Sequence, residues 1–186
     1  MSYSQAFNDG INFVLPHEDE YARGHWGDPN FVVTEDVPGD TGGLTKYGID
    51  QASNPGVDIA NLTQDQAIQI YWNHYWNAHN LDSLPEKLAI CCFDVWVNGG
   101  HANLWLQHAI NQTGYQPHLA EDGSLGPVSL AAAAVCDQAA VVSGFISERN
   151  ARFVALANAH PNDQQFLKGW EQRDSDLAVY LTNLVV

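Results

Sequence analysis

Glu18 follows a stretch of helical periodicity and precedes a segment rich in turns. Downstream lies D-T-G-G-L-T-K-Y-G-I, from Asp40 to Ile49. The glycines of that motif permit positive φ or a close approach of backbone to a ligand. Glu18, Asp40 and Thr45 could therefore converge on one cleft. Acidic groups flanking a bond are what cleavage of a glycoside needs. One donates a proton to the leaving oxygen, and a second carboxylate or a positioned water handles the oxocarbenium-like transition state. A proton donor of this kind has its pKa raised by partial burial against apolar or aromatic groups. Trp26 and Tyr47 are the walls the sequence offers Glu18. Without that chemistry, Glu18 reads as a solvated carboxylate at a helix end. Asp40 then reads as a turn residue capping the Gly-Gly loop.

Other residues have two readings as well. Tyr71, Trp72, Tyr75, Trp76 and His79 recur at helical spacing, which is the pattern of a core face, although one aromatic can serve as a platform for a sugar ring. Asp94 and Asn98 lie one turn apart on an otherwise apolar helix. A buried polar pair needs partners, and lining a glycan cleft would supply them. Among the 8 histidines, the pairs His74/His79 and His101/His108 have no compact zinc spacing, and there is no C-x-x-C, so no metal or other cofactor is expected. Cys91, Cys92 and Cys136 read as structural thiols, the first two within the apolar run LAICCFDVWV.

The elements that must hold these groups are mostly helical. Phe7, Ile11, Val14 and Leu15 set a helical period over Ser4 to Glu20, with Pro16 bending or ending it, so that Glu18 lies at or just beyond a helix end. FVVTEDV, residues 31 to 37, is a short strand or a loop in a turn-rich excursion. Thr63 and Gln66 form a capping box that opens a helix running to about Trp76. Further helices are expected from Pro85 to Asn98, from Ala102 to Gln112, from Pro127 through the alanine run, from Ala139 to Ala159, and from Pro161 to the C-terminus. The fold class is mainly α, with a small irregular or β region near the N-terminus.

Composition excludes several roles. Lys and Arg number 7 against 22 Asp and Glu, a formal charge of −15, and the cations are scattered. Phosphate backbones and anionic membrane surfaces are bound through clustered cations, so neither nucleic acid nor a lipid surface is a main partner. No apolar run is long enough to span a bilayer, and no signal peptide is visible. The expectation is a chain made in the cytoplasm, which something else must release if it works outside.

Glu18, preceded by His17, together with Asp40, Gly42, Gly43, Thr45, Gly48 and Ile49, resembles glycoside hydrolase family 108, the N-acetylmuramidases of phage and bacterial origin. AIQIYWNHYW (Ala67 to Trp76) and FDVWVNGG (Phe93 to Gly100) resemble two further motifs of that family. LQHAIN, EDGSLGPVSL and FLKGWEQR resemble the peptidoglycan-binding module that usually follows it, with Ser129 in place of the usual Thr. The order of these motifs along nearly the whole chain makes the resemblance specific. It implies a lysozyme-like fold, with a catalytic part over residues 1–100 and a helical peptidoglycan-binding-type part over 101–186. It also implies a monomeric hydrolase of the β-1,4 bond from N-acetylmuramic acid to N-acetylglucosamine, of the phage endolysin kind, acting on peptidoglycan glycan strands. Glu18 would be the general acid and Asp40 and Thr45 its helpers. Gly43, Tyr47, Trp76, Asp94 and Asn98 would bind the glycan. A lytic transglycosylase and a non-catalytic wall-binding phage protein are the competing readings. The chain departs from the family pattern at Asp19-Glu20, where Gly-Gly is common, and in the longer interval from Glu18 to Asp40. Both departures bear on which group is the second carboxylate.

Overall fold

The computed structural model describes residues 2–18 and 43–185. FVVTEDV, Trp26 and Asp40 lie outside the described residues. The chain forms two compact units, Ile11–His79 on one hand and Met1–Gly10 with Asn80–Val186 on the other. Helix α1 (Gln5–Glu18) contributes residues to both. Ser4 opens it, its hydroxyl accepting the Phe7 N–H at 3.2 Å. Pro16 does not stop it: the helix runs two residues further and ends on Glu18.

In the unit Ile11–His79, strands β1 (Thr45–Lys46) and β2 (Ile49–Asp50) form an antiparallel hairpin. Its register pairs Thr45 with Asp50 and Lys46 with Ile49. The two linking residues, Tyr47 and Gly48, have φ of 55° and 71°. Two successive positive φ values mark the type I′ turn, whose twist matches that of the flanking strands. Glycine suits such a position, whereas a tyrosine is strained there. The strained turn is held from outside: the Tyr71 hydroxyl donates to the Tyr47 carbonyl at 3.0 Å, and the Lys46 ammonium lies 5.5 Å from the Tyr47 ring centroid. Lys46 and Ile49 face inward, 6% and 4% exposed, and the Lys46 ammonium donates to the Ala60 carbonyl.

Helix α2 (Gln64–Tyr71) begins with the expected capping box. The continuous helix expected as far as Trp76 instead widens into a π turn over Trp72–Trp76, closed by the Asn77 N–H donating to the Trp72 carbonyl at 2.8 Å. A π turn brings residues five apart onto one side. Tyr71 and Trp76, five apart, are both buried.

In the other unit, α3 (Glu86–Asn98), α4 (Ala102–Gln112) and α7 (Gln164–Asn183) pack around α6 (Gln138–Ala159), and α5 (Pro127–Val135) packs on α4. The buried stripe of α6 is Val141, Phe145, Arg149, Phe153 and Ala157, a strict four-residue spacing. The first turns of α1 join this core: Phe7 meets Phe93 with ring centroids 5.7 Å apart, and the Tyr180 hydroxyl donates to the Asp9 carbonyl. Arg149 is the one cation on the α6 stripe, and its partner is Asp94 on α3.

Candidate active site

The site is built where α1 ends. His17, in the last turn, places its Nδ1 2.8 Å from the Phe13 carbonyl one turn earlier in the helix. Glu18 follows, half-buried, with its Oε1 shielded from solvent. The hairpin turn comes up against it. A Cβ placed on Gly48 would lie 2.7 Å from the Glu18 Cβ and 2.7 Å from the Tyr71 hydroxyl. No side chain fits there. The glycine of T-x-x-G-I is therefore required both by its φ and by the proximity of Glu18.

The hairpin register decides which of its side chains share this neighbourhood. Residues directly opposite in an antiparallel pair point to the same face. Lys46 and Ile49 take the inner face, so Thr45 and Asp50 share the other, both half-buried. Thr45 donates to the Gly43 carbonyl at 3.3 Å, and Gly43 itself has φ of 69°. The Asp50 Oδ1 accepts the Ser53 N–H at 2.7 Å, and this bond holds the carboxyl below its usual range. Tyr75, on the π turn, has its phenol pushed up by burial and further by the negative charges of Glu18 and Asp50. Its hydroxyl thus stays a neutral hydrogen-bonding group within the field of both carboxylates.

Of the residues singled out in the sequence, Glu18, Gly43, Thr45 and Tyr47 belong to this cluster. The aromatic neighbours of Glu18 within it are Tyr71 and Tyr75. Trp76 is 0% exposed and packs as core. Asn98 ends α3, half-buried. Asp94 is 0% exposed. Its Oδ2 is bound by Arg149, and its Oδ1 accepts from the Arg173 Nε at 2.9 Å and the Arg173 terminal nitrogen at 2.7 Å. Burial alone would raise the Asp94 carboxyl, but the two guanidinium groups outweigh it and hold it low. A carboxylate so enclosed offers nothing to a sugar, and its role is to anchor α3 to α6 and α7. Asp174 stands next to the same arginines, 3.2 Å from the Arg149 Nε, and burial pushes its carboxyl up to about 6. Sequence reasoning missed Asp50, whose signal was its position opposite Thr45 across a two-residue turn. It also missed Arg149 and Arg173 as the partners of Asp94.

The later motifs have a structural explanation too. Gln107, buried on α4, donates to Asp122 Oδ1, the Ser124 carbonyl and the Ser129 hydroxyl, and its Oε1 accepts the Gly123 N–H at 2.8 Å. Asn111 pins the same loop through both its amide atoms, to the Leu119 backbone and to Glu121. The Q-x-x-x-N spacing and the D-G-S-L-G-P turn are thus two halves of one loop anchor.

The family model described as Glycosyl hydrolase 108 matches residues 33–100, and that described as Predicted Peptidoglycan domain matches residues 101–175. The structure of Brucella abortus SagA superposes with a TM-score of 0.62 at 26% identity, covering 87% of this chain and 91% of that one. Residues 33–100 thus carry a glycosyl hydrolase 108 region, followed directly by a peptidoglycan domain over residues 101–175. No curated protein matches the chain at a significant level. The enzyme has a mainly α, lysozyme-like fold, with one small hairpin near its N-terminus among the described residues. It is a peptidoglycan hydrolase, and the bacterial wall is where it acts. The match to the catalytic family covers the hairpin, α2 and α3 and starts downstream of Glu18. The second match takes in the loop anchor on Gln107 and both arginines that hold Asp94. The two models meet at residue 100, whereas α3 folds with the helices that follow it, because Asp94 ties it to α6 and α7.

Proposed function

We propose that this enzyme hydrolyses the β-1,4 bond between N-acetylmuramic acid and N-acetylglucosamine, with Glu18 as the general acid. One observation carries this reading: Glu18, at the end of its helix, is half-sheltered against the Gly48 turn, beside the hairpin face that presents Thr45. A carboxyl of that kind can protonate the bridging oxygen while a hydroxyl one strand away positions water. Gly43 and Tyr47, on the same hairpin, and Asn98 are proposed as glycan contacts, and Asp40 as a residue that orients or stabilises. A catalytic part over 1–100, a wall-binding part over 101–186, a monomeric state, synthesis in the cytoplasm and an endolysin setting complete the proposal.

The test is Glu18→Gln. Turbidity clearance of purified sacculi and circular dichroism are measured on the same preparation, with mass spectrometry of the products of the unaltered enzyme. Loss of clearance with an unchanged spectrum, and wild-type products carrying the elements of water, is the expected result. Retained clearance removes Glu18 from the reaction. Anhydro-sugar ends would identify a lytic transglycosylase instead, and binding to sacculi without clearance would identify a wall-binding protein.

A further inference from the structure

Asp50 has no part in the reading above, yet it shares a hairpin face with Thr45 as its direct partner across the strands. Lys46 and Ile49 occupy the buried face, which leaves Thr45 and Asp50 to the other. Two residues earlier, Gly48 meets Glu18. Glu18 and Asp50 also share a neighbour, because the Tyr75 phenol feels the charges of both. An inverting hydrolase needs a water between its acid and its base. The Asp50 side chain is also fixed in direction, because its Oδ1 is held by the Ser53 N–H.

We propose that Asp50 is the second carboxylate of the reaction, the general base that activates the attacking water alongside Thr45. The inference rests on Glu18 being the acid. In the step, Glu18 gives its proton to the glycosidic oxygen as the bond from that oxygen to the anomeric carbon breaks. The water oxygen bonds to the anomeric carbon from the opposite face, and its proton passes to Asp50. One water is consumed, and the two carboxyls return to their starting states by exchanging a proton with solvent. The configuration at the anomeric carbon inverts. The hydrogen bond from Ser53 keeps Asp50 ionised and able to accept that proton. Tyr75, whose phenol feels both charges, is within reach of the same space.

The simpler role for Asp50 is to cap the turn that follows it, and the experiment separates the two roles. Asp50→Asn keeps an oxygen for the Ser53 N–H and removes the charge. Asp50→Ser, another capping residue, does the same with a smaller group. Both are assayed on sacculi beside Glu18→Gln and Asp40→Asn, with thermal midpoints measured for all. The expected result is a loss of about 10²-fold or more in turnover for both Asp50 variants. Midpoints should stay at the wild-type value, and activity should be partly restored by azide, an anionic nucleophile that needs no base. Azide should not restore Glu18→Gln. Proton NMR of a peptide-free glycan oligomer digested by the wild type should show the new reducing end first as the α anomer. Full activity of both Asp50 variants overturns the proposal, as does a loss that azide does not restore, or a β anomer first. If Glu18→Gln remains active, the underlying reading fails, whatever Asp50 does. If only Glu18→Gln and Asp40→Asn are inactive, the reading stands and Asp50 is a turn cap.

Discussion

Gly48→Ala probes the contact on which the site depends. An L side chain in the left-handed region costs about 1–2 kcal/mol. The new methyl would also sit 2.7 Å from both the Glu18 Cβ and the Tyr71 hydroxyl, where ordinary contacts begin at 3.4 Å. Relieving both needs a displacement of roughly 1 Å by the hairpin or the end of α1, and a misplacement of that size at a reacting group costs about 10²-fold in rate. Gly114→Ala is the control. Its φ of 84° carries the same conformational cost, and a Cβ there meets nothing within 4 Å. For a chain of this length, 1 kcal/mol moves the thermal midpoint by about 2–4 °C. Gly114→Ala should therefore lose about 2–8 °C and keep its rate of sacculus clearance. Gly48→Ala should lose more than Gly114→Ala in midpoint and about 10²-fold in clearance. If the two variants lose the same midpoint and both clear sacculi at the wild-type rate, then Glu18 is not constrained by the turn, and the description of the site is wrong.

Two further outcomes follow from charge. Asp174 is raised to about 6 in the folded protein from an ordinary 3.8, so the native state holds its proton more tightly than the unfolded chain does. That destabilisation is absent below about pH 4, grows as pH rises through the interval, and is complete above 6; at about 1.36 kcal/mol per pKa unit it reaches about 3 kcal/mol at most. Asp174→Asn should thus be more stable than wild type at pH 8 and equal to it at pH 4 in urea titrations, and a gap that widens toward acid would contradict the sign. The formal charge of −15 opposes approach to a wall that bears carboxylates, and the screening length shrinks from about 30 Å at 0.01 M salt to about 10 Å at 0.1 M. Clearance should hold or rise over that range, and a steep fall would mean that attraction, not repulsion, governs encounter.

Much of the helical framework was legible because its signals are local. The box of Thr63 and Gln66 starts α2, Pro127 opens α5, and the period from Ala102 to Gln112 gives α4 to the residue. Where a feature depends on contacts distant in sequence, the pattern was ambiguous or silent. The hairpin turn was not signalled, because Tyr-Gly is an uncommon type I′ pair and is tolerated only with Tyr71 holding its carbonyl. The π turn at Trp72–Trp76 was not signalled either, since Tyr71, Trp72, Tyr75 and Trp76 also recur at the three- and four-residue spacings of an α-helix. At the site, the glycine motif and Glu18 were legible as chemistry, but the partner of Thr45 required the register of the strands.

Asp94 shows why an acidic residue on an apolar helix face is ambiguous to any reading of one segment. In isolation it has two stable outcomes, a cleft open to ligand or a cation elsewhere in the chain, since a buried charge without a partner is too costly to keep. The deciding residue, Arg173, stands 79 positions away in the G-W-x-x-R motif, and Arg149 stands 55 away on the buried stripe of α6. An arginine at the centre of an otherwise apolar four-residue stripe poses the same question from the other side, so the two anomalies answer each other. Pairing such mismatches across a sequence, an acid on one apolar face with a base on another, identifies a buried ion pair before a ligand need be invoked.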